Sequence, residues 1–197
     1  MRMPTAKEQA AVSSEQPHST AVLLPGALRG FSDGTQRTTI AAFLKSLGPV
    51  QSVDVFALFE STERLSASES CSTDLDRLLD ETLRDDGRYA EVRVINGTEV
   101  AAEWNNRRSE GASFEAMQQL RGPAAVAQFF KWQLAYRMME AAEASRGVYT
   151  FVTKVRTDVS LKPFEQPIAE MELLERNVLM GSDQFWLARR SDATRVA

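Results

Sequence analysis

The sequence holds one cysteine, Cys71, and one histidine, His18. The first count excludes a disulfide framework and a cysteine-rich zinc site. The second excludes more. His18 lies in a polar N-terminal stretch, whereas a Ser-His-Asp triad, a Cys-His pair or a multi-histidine metal site needs a histidine inside the fold. Any catalysis therefore falls to carboxylates, arginines, lysines, hydroxyls, backbone amides or an oxygen-ligated metal. Cys71 has no plausible base partner and reads as inert.

Long apolar runs are also missing. No stretch of about 18 apolar residues occurs, so no membrane-spanning helix is expected. Residues 1–20 lack the apolar segment of a secretory signal. Residues 1–19 read as a disordered tail. The default expectation is cytoplasmic, with the Golgi or secretory pathway applying if the chain is a fragment. A net charge of −4 argues against a surface built for nucleic acid or an anionic membrane. Repeats and low-complexity segments are absent.

What is present is ordinary for one globular domain, placed at 20–197. The 197 residues are 43% hydrophobic and 25% charged, enough for a sizeable core. Thr20 to Leu24 is a short apolar run closed by Pro25-Gly26, the pattern of a buried strand. Thr35 to Leu47 has helical spacing through Ile40, Phe43, Leu44 and Leu47, stopped by Gly48-Pro49. Val53 to Phe59 is a second strand, which completes a βαβ unit with parallel pairing.

Ser72 or Thr73 is placed to cap a helix running to about Arg84, with Leu75, Leu78, Leu79 and Leu83 on one face. Ala90 to Ile95 reads as a third strand, and Asn96-Gly97 as a turn. Residues 97–112, with Trp104 and a solvated Arg107-Arg108, carry no clear pattern. Pro123 suits the first position of a long helix to about Ser145, ended by Gly147. Its Phe129, Phe130 and Trp132 read as core. Val148 to Val155 is a fourth strand, a short helix follows at Ile168 to Glu175, and Val178 to Met180 is a fifth strand.

In open α/β sheets, ligands bind beyond the carboxyl ends of the strands. Three segments fall there. Pro25-Gly26-Ala27-Leu28-Arg29-Gly30 offers backbone amides to a phosphate and Arg29 to pair with it. It is neither a Walker A loop nor GxGxxG, and on the residues alone an ordinary turn is the favoured reading. Arg156-Thr157-Asp158 puts a carboxylate beside an arginine and a hydroxyl. That set suits Mg²⁺ or Mn²⁺ bridging a diphosphate, or an internal Arg-Asp pair that shapes the loop. Gly181-Ser182-Asp183 leads into Gln184-Phe185-Trp186. There Asp183 is a general base or sugar-hydroxyl acceptor with Phe185 or Trp186 as an apolar platform, or else a helix N-cap ahead of core aromatics. Asn96-Gly97-Thr98 matches a glycosylation sequon, which matters only in a secreted protein.

Taken in order, these segments resemble a broad, largely uncharacterised group of microbial and algal proteins, glycosyltransferase-like and of GT-A type. Ala21-Val-Leu-Leu-Pro-Gly-Ala-Leu-Arg29 is similar to the group's first strand and "GxxR" loop. Gln128-Phe-Phe-Lys-Trp-Gln-Leu-Ala135, followed by Tyr149-Thr-Phe-Val-Thr-Lys-Val-Arg-Thr-Asp158, is similar to its long helix and the strand ending in an "R-T-(R-P)-D" pattern. Asp183-Gln-Phe-Trp-Leu-Ala-Arg189 resembles its "D-x-F-x-[IV]-x-R" segment.

The resemblance implies a three-layer α/β sandwich around a mostly parallel sheet. It also implies transfer of a sugar from a nucleotide-sugar donor to a glycan or small-molecule acceptor. It places Pro25, Gly26, Arg29 and Arg156 near the nucleotide diphosphate, Asp158 at the metal (Mn²⁺ or Mg²⁺), and Asp183 at the donor sugar or acceptor. Residues 156–158 hold a single acidic residue, so no DxD pair is present. Domains of this type usually continue past the last motif, so the chain is expected to be a C-terminally truncated, minimal or inactive relative. A catalytically inactive nucleotide-sugar-binding module and a structural domain on the same fold are the rival readings.

Overall fold

The structure is a computed structural model. It describes residues 19–27, 34–61, 77–84, 87–96, 99, 113–157, 159, 161–165, 178–182 and 185–196, with side chains omitted at 27, 61, 113–127, 129, 178–182 and 194–196. The expectations for residues 1–18 with His18, Cys71, the Ser72/Thr73 cap, Trp104, Arg107-Arg108 and the 168–175 helix lie outside the described residues. So do Arg29, Asp158 and Asp183.

Six strands form one sheet. They are β1 (Thr20–Ala27), β2 (Val53–Ser61), β3 (Ala90–Asn96), β4 (Phe151–Val155), β5 (Val178–Ser182) and β6 (Phe185–Arg189), in the order β3-β2-β1-β4-β6-β5. β1, β2, β3 and β4 are mutually parallel. β6 runs antiparallel to both β4 and β5. The mostly parallel sheet matches the sequence reading, and all five expected strands belong to it.

Near-continuous apolar runs follow from burial on both faces. Ala21, Leu23, Phe56, Leu58, Val152 and Trp186 pack on one side, against the helix α3 (Ser113–Arg146). Val22, Leu24, Val55, Phe59, Val155 and Leu187 pack on the other. That second side is covered by α1 (Gly34–Ser46) through Ile40, Phe43 and Leu44. Leu79 and Leu83 of a short helix, α2 (77–84), join the same layer. The result is helix, sheet, helix: the three-layer sandwich expected. A short helix, α4 (Arg190–Val196), follows β6.

Two local expectations are corrected. The long helix begins at Ser113, ten residues before Pro123, which therefore sits inside it. An interior proline removes one backbone hydrogen bond and usually kinks or stops a helix, and here the helix runs on through it. Val148 is 74% exposed and precedes the fourth strand, which starts at Phe151. Gly97 lies outside the described residues, but Asn96 and Glu99 on either side of it are joined. The Asn96 side chain accepts from the Glu99 N–H at 2.8 Å, and the Glu99 carboxylate accepts from the Asn96 N–H at 2.7 Å, a reciprocal capping box.

The C-terminus of α3 is tied to the start of β2. Gly147 ends the helix at φ +86°, a conformation that glycine adopts without strain. One residue earlier, Arg146 grips the buried carboxylate of Asp54 through Nε and, at 2.9 Å, through a terminal nitrogen. The Tyr149 hydroxyl donates to the same carboxylate at 2.7 Å. The guanidinium also lies 4.2 Å from the Tyr89 ring centre. Burial, then the hydrogen bond to Asp54, hold the Tyr149 phenol well above its usual range. The Asp54 hydrogen bond raises Arg146 further.

Candidate functional site

β1 and β4 are neighbours, yet their chain connections leave in opposite directions. From β1 the chain steps through β2 to β3 on one side, then returns to β4 on the other. Right-handed crossovers then require the helices to lie on opposite faces, as α1 and α3 do. In open α/β sheets a ligand crevice falls at such a reversal, beyond the carboxyl ends of the strands.

Two of the expected segments meet in that crevice. Pro25 and Gly26 end β1, and Arg156 and Thr157 directly follow β4. They are in contact: a β-carbon built on Gly26 would fall 2.0 Å from Thr157 Oγ1 and 2.8 Å from its Cγ2. The glycine is thus explained first by packing, since only a bare backbone lets the buried Thr157 close over the β1 end. Arg156, the residue before Thr157, is half-buried.

The third segment is corrected. Phe185 to Arg189 is a strand, where the alternative reading expected a helix; Asp183 itself lies outside the described residues. Trp186 is 2% exposed and packs edge-on against Trp132, ring centres 5.4 Å apart, in the core beneath α3. Phe185 packs between Phe43 and Phe164. Neither ring is a free platform. The core reading of Phe130 and Trp132 holds, and the Phe129 side chain lies outside the described residues.

The structure adds residues that motif reading did not single out. Lys131 of α3 is buried, and its Nζ lies 2.7 Å from Glu60 Oε2 at the end of β2. One turn earlier on α3, Gln128 Nε2 reaches the Pro25 carbonyl at 3.5 Å. Lys154, also buried, holds its Nζ 4.8 Å from the Trp132 ring centre, within cation–π range. The only sequence signal was polarity in the wrong place: a lysine between Phe130 and Trp132, and another inside an apolar strand.

The described charges near the carboxyl ends of β1, β2 and β4 are thus Lys131, Lys154 and Arg156 against Glu60. Among the described residues, no three His, Cys, Asp or Glu side chains gather as a metal cage. Among them also, no helix is long and apolar enough to cross a membrane.

No protein-family model matches the sequence, and no curated protein matches it. Among solved structures, the apo crystal structure of mouse Xyloside xylosyltransferase 1 aligns over 83% of this chain and 50% of its own, with 14% identity and a TM-score of 0.41. The chain spans about half the length of that structure. At this level of likeness, function has to be read from the chain's own residues.

Proposed function

We propose that the chain is a glycosyltransferase-like domain of GT-A type that binds a nucleotide-sugar at the crevice between β1 and β4. It transfers the sugar to an acceptor hydroxyl. The observation that carries this reading is the contact of Gly26 with Thr157 at the point where the sheet's connections reverse. Arg29 lies three residues beyond Gly26 in the sequence, and Asp158 is the residue after Thr157. A diphosphate in the crevice would meet both segments.

In this reading Arg29 and Arg156 take the diphosphate oxygens, since a guanidinium pairs with phosphate through parallel hydrogen bonds. The bond from the anomeric carbon to the diphosphate breaks as the acceptor oxygen attacks, and Asp183 takes the acceptor's proton. Asp158 is the proposed ligand of Mn²⁺ or Mg²⁺. Such ions are commonly held by one or two carboxylates together with substrate phosphates, so a lone aspartate suffices. When bound, the ion adds positive charge on the departing diphosphate.

Calorimetry with UDP-glucose, UDP-galactose and GDP-mannose, in Mn²⁺ and in EDTA, tests binding. Release of free sugar from the same donors tests chemistry. Binding that weakens in EDTA, with slow donor hydrolysis, is expected. No binding to any nucleotide-sugar in either buffer defeats the reading. Tight binding with no hydrolysis or transfer leaves a binding module.

A further inference from the structure

We propose that β3 is an interface, through which two copies of the chain pair antiparallel, in one register, about a twofold axis. The inference is independent of the nucleotide reading.

β3 ends the sheet, and among the described strands it pairs with β2 alone. Which of its backbone groups face outward follows from one bond. The Val55 N–H donates to the Tyr89 carbonyl at 2.9 Å. Backbone groups alternate sides along a strand, so those of Tyr89, Glu91, Arg93 and Ile95 address β2. Those of Ala90, Val92, Val94 and Asn96 address the open side. Side chains close both ends of this outer row. The Ala90 carbonyl accepts from Arg84 of α2 at 3.2 and 3.1 Å, and the Asn96 N–H donates to Glu99 at 2.7 Å. Between them, no described residue bonds to the outward backbone groups of Val92 and Val94.

Proteins that keep an edge strand single usually place a lysine, a proline or a bulge on it. β3 has no lysine or proline, and its register with β2 is unbroken over seven residues. The charges it does carry are opposite in sign and two residues apart, and they select the partner. Set Val92 opposite its own copy, and Glu91 faces the partner's Arg93 while Arg93 faces the partner's Glu91. Val92 is then a hydrogen-bonded pair with itself, as its outward groups require. Ala90 meets the partner's Val94 on the other face, where Val94 is otherwise 42% exposed. One face of the pairing gains two ion pairs and the other an apolar strip. Centring on Glu91 or on Arg93 instead would set like charges directly opposite, which is unfavourable. The occupant that fits this edge is therefore a second copy of the chain. Such a contact is isologous and closes at two copies. Pairing by one strand buries less than a standard interface, so the dimer depends on concentration.

Sedimentation velocity of the full chain from about 1 μM to about 1 mM should show monomer passing to dimer. Arg93→Glu and Glu91→Arg each turn both ion pairs into repulsions, and each should weaken the dimer about tenfold or more. The double variant, Glu91→Arg with Arg93→Glu, restores opposite charges and should dimerise within about twofold of the unaltered chain. Val92→Pro removes an outward N–H and spares the ladder to β2, so it should melt cooperatively and stay monomeric. A monomer across the whole range overturns the inference. A dimer that the single reversals leave intact uses another face and overturns it too. So does a dimer that the double variant fails to restore, or a folded Val92→Pro protein that still dimerises.

Discussion

Thr157 Oγ1 occupies the space that a β-carbon on Gly26 would need, 2.0 Å from that position. The strand ends that frame the crevice are therefore locked by steric fit, with no room for one methyl group. Gly26→Ala should destabilise the fold by about 1–3 kcal/mol, the usual cost of overpacking. The backbone there has ordinary strand geometry, so the clash is the main cost. Thr157→Ala removes the two nearest atoms, and the double variant should be more stable than the sum of the single changes implies. Thermal melts of the four proteins check this, and strictly additive losses would show that the two residues are not in contact.

Asp158 separates two accounts of its loop. As a metal ligand, Asp158→Asn should leave the melting temperature unchanged or slightly higher and abolish the Mn²⁺-dependent part of nucleotide binding. As half of a buried structural pair, the same change should cost about 1–3 kcal/mol with nucleotide affinity unchanged. Asp183→Asn should lower turnover with little effect on stability. Melts and donor-hydrolysis rates on both variants decide.

The chain's three tyrosines, Tyr89, Tyr136 and Tyr149, are all held above the ordinary phenol range, in each case chiefly by burial. A raised folded pKa favours the protonated form. The resulting stability is fully present below the unfolded phenol pKa near 10 and is lost as pH climbs above it. Absorbance near 295 nm should therefore stay flat past about pH 10, where free tyrosine is half ionised, and then rise together with loss of helical ellipticity. A normal tyrosine titration in a protein that stays folded would contradict this. Tyr149→Phe should move the alkaline transition to higher pH.

Asp54→Ala removes the anchor for both Arg146 and Tyr149. Breaking a buried pair from one side costs about 3–5 kcal/mol when the remaining charge is trapped. Arg146 is 35% exposed and can turn partly to water, so the loss should lie near or below the lower end. Denaturant unfolding should show this, with ligand binding at the opposite edge of the sheet little affected. Asp54→Asn should lose less.

Strand positions were legible because apolar runs between turn residues, such as Val53–Phe59 after Gly48-Pro49, have one economical explanation. Phe185–Arg189 was not, since four apolar residues after an aspartate fit a capped helix as well as a buried strand. Pro123 misled for a related reason: proline signals a helix start by local preference, while the helix that contains it is held by its packing on β1 and β2. Pro25, Gly26 and Arg156 were singled out by a place expected after strands, although β1 runs on through Pro25 and Gly26 to Ala27. Glu60 and Lys131 were not, because their pairing depends on how α3 lies along β2, 71 residues away in sequence.

That alignment has a mechanical consequence. Arg146 holds Asp54 at one end of β2, and Lys131 holds Glu60 at the other. Fifteen residues of helix cover roughly 22 Å, and six residues of strand about 20 Å, so the two spans match and both pairs close at once. Sliding α3 by one residue, about 1.5 Å, would strain both together. The helix and strand behave as two rails bolted at both ends. Whatever meets the carboxyl ends of β1 and β2 therefore meets α3 and β2 as one fixed wall.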